Sequence, residues 1–210
     1  MRRAFLWVAI LLSLGLLLFW AWRSSLERSD SRYDAQIRIA SGRYGVDPLL
    51  IRAVIWEETH FRLNKVGRVG ELGLMQVRPT TALDWARSEK RTDFRPEQLA
   101  DPQVGILAGG WYLGRALRRW QDTDNPYVFA LAEYNAGRRN AARWVDPIHP
   151  RSARAFFSRI DFPKTRQYVR EILSRFALYR GGLPWTSFTD LFPPPGRAGR
   201  KEAVPVANRP

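Results

Sequence analysis

Apolar residues recur every three or four positions through most of this chain, which is the spacing of amphipathic α-helices. No stretch shows the alternation of apolar and polar residues that is typical of a half-buried strand. The helices predicted from this pattern cover Tyr33–Tyr44, Pro48–Thr59, a segment from near Pro79 through Ala86, Pro102–Trp120, Pro126–Ala136 and Pro163–Tyr179. Residues 62–73 and 91–99 are predicted loops, and residues 138–144 form a short basic segment. The pattern therefore predicts an all-α domain over residues 33–180.

The helix Pro48–Thr59 contains the first candidate for chemistry. Asp47 is a favourable N-cap, and Pro48 suits the first helical position because its missing N–H would have had no partner there. On a wheel of 100° per residue, Glu58 lies in the middle of the apolar stripe and Glu57 lies at its edge. A carboxylate on a buried face is costly unless it is paired or protonated, so Glu58 is the first residue to suspect of catalysis.

The two ends of the chain differ from the middle. Residues 4–22 carry no charge, are rich in leucine and have tryptophans toward both ends, which is typical of a membrane-spanning helix. We therefore expect residues 1–23 to be a transmembrane anchor. A cleaved signal sequence is the alternative, but the apolar run is too long for one and no A-x-A-like site follows it. Residues 24–32 read as a polar linker, and residues 181–210, rich in proline and glycine, as a mobile tail.

Composition narrows the classes of function. The 210-residue chain has no cysteine, which excludes a disulfide framework, a thiolate nucleophile and a cysteine metal site, and its two histidines are too few for a typical zinc site. The net charge of +14 indicates an anionic partner, such as a nucleic acid, a membrane surface or an acidic polymer. A DNA-binding function is the weakest of these, because no helix-turn-helix or basic-zipper signature is present.

Three short motifs follow one another along the chain. They are Glu58-Thr59-x-Phe61 with Gly70-x-x-Gly73-Leu74-Met75-Gln76-x-x-Pro79-x-Thr81-Ala82, then Ala132-Glu133-Tyr134-Asn135-Ala136-Gly137, then Lys164-Thr165-Arg166-Gln167-Tyr168-Val169. Together they resemble the catalytic signature of soluble-type lytic transglycosylases, which reads E-S-x-F with G-A-x-G-L-M-Q-x-x-P-x-T-A, then A-x-Y-N-A-G, then E-T-x-x-Y-V. The resemblance covers about residues 49–179 and implies a lysozyme-like helical fold.

The resemblance implies an enzyme that cleaves peptidoglycan glycan strands between N-acetylmuramic acid and N-acetylglucosamine, closing a 1,6-anhydro ring on the muramic acid. It implies that Glu58 protonates the glycosidic oxygen and then takes the proton from the sugar's own C6 hydroxyl. One glutamate can do both if an apolar site raises its pKa. The N-acetyl group of the substrate can stabilise the cationic centre, which removes the need for a second carboxylate. No cofactor or metal is implied.

The resemblance also implies a set of substrate-binding residues, namely Thr59, Met75, Gln76, Tyr134, Asn135 and Tyr168. Thr59 stands where the family has serine and keeps a hydroxyl near the catalytic carboxyl. Glu71 replaces the usual alanine, and Lys164 replaces a glutamate near the far end of the cleft. Glu133 is a candidate to supply a carboxylate there instead.

The implied substrate predicts a catalytic domain on the periplasmic side of the bacterial inner membrane, held by the N-terminal helix. The expected partners are peptidoglycan strands and the membrane, with no nucleic acid and with any cell-envelope protein partners unidentified. Two alternatives stay open. One is a lysozyme-like hydrolase, which needs a second carboxylate such as Glu71 or Asp84. The other is a non-catalytic peptidoglycan-binding protein.

For a histidine, the tryptophans and the arginine pairs, a purely structural role is the first expectation. His60 is expected to face solvent or the edge of a groove. Most tryptophans are expected in the core or the anchor, with Trp85, Trp111 and Trp144 as candidates to stack on sugars. The arginine pairs at 118–119 and 138–139 are expected on solvated faces.

Overall fold

The structure, a computed structural model, describes residues 13–17, 31–63 and 65–181. In this part of the chain it is helical, and the only β-type pairing is an isolated bridge between Leu72 and Val77. The helices are α1 (Asp34–Tyr44), α2 (Pro48–Thr59), α3 (Pro79–Ser88), α4 (Pro102–Arg119), α5 (Pro126–Ala136), α6 (Arg138–Arg143), α7 (Ala153–Arg159) and α8 (Pro163–Tyr179), with a 3₁₀ helix at Pro96–Ala100. The prediction of an all-α domain is confirmed.

The predicted anchor at residues 1–23 lies for the most part outside the described residues, of which 13–17 are helical. Among the helices of the described ranges, none combines the length and the apolar character that a membrane crossing requires. Most of the predicted linker at 24–32 and all of the tail beyond residue 181 also lie outside the described residues.

The helix boundaries follow the local signals that predicted them. The Asp47 carboxylate accepts a hydrogen bond from the Leu49 N–H at 2.8 Å, and Pro48 occupies the first turn of α2. Helix α1 ends at Gly45, whose φ of 68° is a left-handed conformation that glycine adopts without steric cost. Helices α5 and α8 have the predicted bounds.

Two predictions between the long helices were incomplete. The predicted loop at 91–99 runs into the 3₁₀ helix, and α7 was not predicted at all. Helix α7 has only seven residues, which is too short for a helical period to emerge from the sequence. It is capped by Ser152, whose hydroxyl accepts a hydrogen bond from the Ala155 N–H at 3.3 Å.

The chain divides into two compact units, residues 1–118 and 119–210. In the first unit, the core includes α2, whose residues Leu50, Ile51, Val54 and Ile55 are fully buried. Helix α4 packs closely on α1 through small residues. A Cβ atom at Gly110 would lie 3.2 Å from the Ala40 Cβ, and one at Gly114 would lie 2.8 Å from the Tyr44 carbonyl oxygen. The contact at Gly114 leaves no room for a Cβ atom, and the one at Gly110 is tight for it, so the glycines favour this close approach of the two helices.

The second unit is built around α5, which is buried over Val128–Glu133 and packs against α6, α7 and α8. Aromatic rings fill the space between these helices. The ring centroids of Phe129 and Phe156 are 4.0 Å apart, and those of Trp120 and Phe129 are 5.1 Å apart. Helix α5 is therefore fixed on several sides before its last turn.

A buried hydrogen-bonded chain joins α1 to α3 in the first unit. The Tyr44 hydroxyl accepts from the Trp85 indole N–H at 2.8 Å and donates to a Glu89 carboxylate oxygen at 3.1 Å. Arg43 forms an ion pair with the same carboxylate. Burial of the phenol, reinforced by the negative charge of Glu89, raises the pKa of Tyr44 to about 12.

This shift predicts a pH-dependent stability. Between pH 10, where Tyr44 ionises in the unfolded chain, and about pH 12, where it ionises in the fold, the unfolded state binds fewer protons, so stability falls as pH rises. Tyr44→Phe should be less stable than the wild type below pH 10, by about 1–3 kcal/mol, because it leaves buried groups unpaired. The difference in stability between Tyr44→Phe and the wild type should become smaller from pH 10 to 12, because only the wild type loses stability through Tyr44 in this range. Urea unfolding across this range measures the difference, with Tyr33→Phe as the control at another buried tyrosine. Parallel pH profiles for the wild type and Tyr44→Phe would contradict the assignment.

Candidate active site

Glu58 lies in the last turn of α2 and is half-buried. On one face of the helix before it, Leu50, Ile51, Val54 and Ile55 are fully buried, which confirms that this face is apolar. Glu57 is also half-buried, so burial does not separate the two carboxylates. The distinction between them rests on the motif.

The chain leaves α2 through two consecutive left-handed residues, His60 with φ 50° and Phe61 with φ 58°. Such conformations are strained for non-glycine residues and need support from their surroundings. The side chain of Phe61 supplies this support, because its buried ring stacks on Tyr33 with a centroid distance of 6.3 Å and meets Trp56 edge-on at 6.4 Å. His60 is exposed, as expected. The phenylalanine of the motif thus fixes how the chain turns directly after Glu58.

Thr59 connects α2 to the glycine-rich loop. Its side chain is fully buried, and its hydroxyl lies 3.1 Å from the Ile55 carbonyl oxygen and 3.0 Å from that of Leu74. The first contact lies within α2, and the second reaches the loop Gly73–Gln76. The hydroxyl that the motif retains at this position therefore holds the end of α2 against the loop.

The loop in turn lies directly on α4. Gly73 has a φ of 74°, and a Cβ atom there would collide with the Leu99 carbonyl oxygen. A Cβ atom at Gly105 would lie 2.7 Å from the same oxygen, and one at Gly109 would lie 2.6 Å from the Cβ and sulfur of Met75. Three glycines thus let the loop sit against the helix. Met75 is fully buried in this contact.

The side chain of Gln76 stabilises the loop through hydrogen bonds to backbone carbonyls. It has a φ of 45°, and its amide nitrogen donates to the carbonyl oxygens of Lys65 at 2.9 Å and Gly73 at 3.0 Å. The Lys65 ammonium donates to the backbone carbonyl of Glu58. Both amide hydrogens of Gln76 are therefore bonded to backbone carbonyls, one within the loop and one at Lys65, while its side chain stays half-buried.

The other predicted site residues, Tyr134, Asn135 and Tyr168, belong to the second unit. Tyr134 is half-buried, Asn135 is exposed and Tyr168 is buried. The side-chain oxygen Oδ1 of Asn135 accepts a hydrogen bond from the Thr165 hydroxyl at 2.7 Å. This bond joins the second motif to the third and leaves the amide nitrogen as the donor side of Asn135.

Thr165 was not predicted as a functional residue. Its side chain is buried, and it positions Asn135. The available signal was its match to the threonine of the third motif. Lys164, the preceding departure from that motif, is exposed.

The suggestion that Glu133 supplies a carboxylate to the cleft is wrong. Its side chain is fully buried, and its two oxygens accept from the Arg119 guanidinium at 3.0 Å and the Trp120 indole N–H at 2.8 Å. A buried carboxylate with a cation and a second donor is a structural element of the core. The expectation of solvated faces is confirmed for Arg118, Arg138 and Arg139, which are exposed, although Arg118 also donates to the Tyr44 carbonyl oxygen at 3.0 Å. Arg119 departs from it, because its guanidinium pairs with the buried Glu133.

The carboxylates considered for a hydrolase are engaged locally. Glu71 accepts from the Val69 N–H at 3.1 Å and lies 3.6 Å from the Arg78 guanidinium, and Asp84 pairs with Arg87. Of the tryptophans considered for sugar stacking, Trp85 and Trp144 are buried, while Trp111 is half-buried beneath the guanidinium of Arg115. Over the described ranges, no group of acidic residues and histidines could hold a metal ion.

Comparisons with known protein families and with individual proteins all identify transglycosylases as similar to this chain. A protein family described as the transglycosylase SLT domain matches residues 35–156, more than half of the chain. The soluble lytic murein transglycosylase of Salmonella typhimurium is 35% identical over 130 residues, covering 61% of this chain and 20% of that protein. The membrane-bound lytic murein transglycosylase F of Desulfosudis oleivorans is 35% identical over 109 residues, covering 50% of this chain and 22% of that protein.

A solved structure shares the fold. It is the lytic transglycosylase Slt from Pseudomonas aeruginosa, an inactive mutant in which a glutamate is replaced by glutamine. It matches with a TM-score of 0.65 and 26% identity over 76% of this chain and 26% of that one. The chain thus spans about a quarter or less of the length of these three proteins.

The bond from Thr59 to the loop predicts unequal effects of two substitutions. Thr59→Val keeps the shape of the side chain but removes the hydroxyl that donates to the Leu74 carbonyl oxygen. Because this buried oxygen then loses its side-chain donor, the substitution should destabilise the fold by about 1–3 kcal/mol. Thr59→Ser retains the hydroxyl and should cost less. Chemical denaturation of both variants measures this, and a Thr59→Ser variant that loses more than Thr59→Val would show that the methyl group matters instead.

The packing of the loop on α4 predicts opposite signs for two helical glycines. Gly109→Ala places a Cβ atom against Met75 and should destabilise the fold by about 1–3 kcal/mol. Gly42→Ala is the matched control, because a Cβ atom there meets nothing within 4 Å on helix α1. It should stabilise the fold by about 0.5–1 kcal/mol. Thermal unfolding of the two variants compares them, and equal stabilisation by both would refute the close contact.

Proposed function

Since this chain belongs to the transglycosylase SLT family, we propose that it is a peptidoglycan lytic transglycosylase. It cleaves the bond between N-acetylmuramic acid and N-acetylglucosamine and leaves 1,6-anhydro-muramyl ends. The observation that carries the proposal is the hydrogen bond from Thr59 to Leu74, which ties the helix bearing Glu58 to the glycine-rich loop. The two halves of the first motif thereby form one structural element.

In the proposed reaction, Glu58 acts first as an acid and then as a base. Its carboxyl proton passes to the glycosidic oxygen as the bond to C1 breaks, and the N-acetylglucosamine leaves with that proton. The C6 hydroxyl oxygen of the same muramic acid then bonds to C1, and its proton returns to the Glu58 carboxylate. Glutamate is suited to both steps because the half-buried end of α2 limits its solvation. The inactive relative, with glutamine in place of glutamate, is consistent with such a role.

The predicted substrate-binding residues differ in how far their side chains are exposed to solvent, and this difference decides the role proposed for each. Thr59 and Met75 are fully buried, so we assign them to support of the site instead of side-chain contact with sugar. Gln76, Tyr134 and Asn135 have accessible surface and are proposed to bind the glycan, Asn135 through its amide nitrogen. Tyr168 has 6% of its surface exposed, and any contact it makes is at its edge.

The proposed substrate places the domain outside the cytoplasm, on the periplasmic side of the inner membrane. Some relatives are membrane-bound lytic murein transglycosylases and others are soluble ones. The apolar residues 4–22 would supply the attachment here. The net charge of +14 suits a polymer that carries carboxylates.

Product analysis tests this function. Purified peptidoglycan is digested with the wild type, Glu58→Gln and Glu57→Gln, and the strand ends are identified by mass spectrometry. The wild type should release anhydro-muramyl ends. Glu58→Gln cannot donate the proton and should lose activity by at least about 100-fold. Glu57→Gln, the same change one residue away, should retain most of it.

Three outcomes would contradict the proposal. Reducing ends in place of anhydro ends would mean hydrolysis by the same fold. Full activity of Glu58→Gln, or a larger loss in Glu57→Gln, would assign the acid to another residue. Binding of peptidoglycan without release of any product would indicate a non-catalytic binding protein.

A further inference from the structure

A groove of about 530 Å³ opens on the first unit, beside the second half of α3 and the turn that follows it. No part of the function proposed above uses it. We call it the basic groove, and its lining residues are Leu83, Ala86, Arg87, Lys90, Arg91, Thr92 and Phe94. Its volume lies in the range of sites for small ligands.

The cations of the basic groove differ in how far they are neutralised. Arg87 forms an ion pair with Asp84 on the same helix. Within the described part of the chain, neither Lys90 nor Arg91 pairs with a carboxylate. Two positive charges at the groove are therefore available to an anionic ligand.

Arg91 is held in place by aromatic rings. Its guanidinium carbon lies 5.2 Å from the ring centroid of Trp85 and 5.8 Å from that of Phe94. Its backbone N–H donates to the Ala86 carbonyl oxygen at 2.9 Å. A guanidinium fixed in this way loses less conformational freedom when it binds a carboxylate, which favours recognition.

The floor of the groove is apolar. Leu83 is 40% exposed, and Ala86 and Phe94 show only small accessible edges. Two cations beside a small apolar surface, one of them held by aromatic rings, suit a ligand that carries carboxylates on a backbone with small apolar side chains. A short acidic peptide has this chemistry, whereas a bare phosphate would leave the apolar floor uncovered.

The groove is close along the chain to the proposed active site. Helix α3 begins at Pro79, three residues after Gln76, and carries Arg87 eight residues later. At 1.5 Å per residue, Arg87 lies about 12 Å along the helix axis from Pro79. An extended peptide of four residues spans roughly 13 Å. We propose that the basic groove binds the acidic peptide carried by peptidoglycan strands, an inference that rests on the proposed function.

The test compares strands that carry peptides with strands from which an amidase has removed them. The full chain is assayed as the wild type and as Lys90→Gln/Arg91→Gln. The double substitution should lower kcat/KM roughly tenfold on peptide-bearing strands and leave it within about twofold on stripped strands. Arg154→Gln/Arg170→Gln is the matched control, since it removes the same charge from exposed positions in the second unit and should affect neither substrate selectively.

Lys90→Gln alone keeps Arg91 on its aromatic rings and guards against a folding defect in the double variant. It should lower kcat/KM on peptide-bearing strands severalfold. Calorimetric titration with a free acidic tetrapeptide should show binding to the wild type and weaker binding to both groove variants.

The outcomes separate this inference from the proposed function. If the wild type cleaves neither kind of strand, the proposed function fails, and peptide binding is then judged by the titration alone. If the wild type cleaves both and the groove variants lose activity equally on both, the inference is overturned. Equal losses in the groove and control variants would show that only overall charge matters and would also overturn it. So would a groove that binds anionic lipid or nucleic acid but not the peptide.

Discussion

The site in the first unit depends on one close approach between backbones. The loop Gly73–Gln76 lies so near the Leu99 carbonyl and helix α4 that no side chain fits at Gly73, Gly105 or Gly109. This contact determines where the Leu74 carbonyl lies, and the Thr59 hydroxyl binds that carbonyl. Because Thr59 follows Glu58, the position of the proposed acid is set by glycines on a helix about 50 residues further along the chain. Gly73 of the motif, together with Gly105 and Gly109 on α4, therefore acts through packing.

A comparable arrangement supports the second unit. Glu133 is buried next to Tyr134, and removing a carboxylate from water is costly unless it is well paired. Arg119 and Trp120 supply the pairing and thereby fix the turn of α5 that presents the motif residues. Thr165 then orients the amide of Asn135. In both units, a buried polar group next to a proposed site residue holds that residue in place. This is what positioning a substrate requires.

Much of the fold could be predicted because its helices begin and end with local signals. Asp47 and Pro48 open α2, and Gly45 closes α1, since caps and φ preferences act within a few residues. Helix α7 could not be predicted from seven residues without a clear period. Other features arise from contacts between segments that are distant in the sequence and could not be predicted from local signals. They are the burial of Met75 and Trp85, the partners of Glu133, and the basic groove. A helical wheel shows which face is apolar but not what covers it, and it placed Glu58 deeper than its half-buried position.

A crystal structure of the Glu58→Gln variant bound to an uncleaved glycan strand tests whether the side chain at position 58 faces the bond that is cleaved. The substituted side chain should lie within hydrogen-bond distance, about 2.6–3.2 Å, of the oxygen between N-acetylmuramic acid and N-acetylglucosamine. The muramyl C6 hydroxyl should point toward the same group. A glycan whose scissile oxygen lies against Glu57 or Glu71, with position 58 out of reach, would rule out Glu58 as the acid.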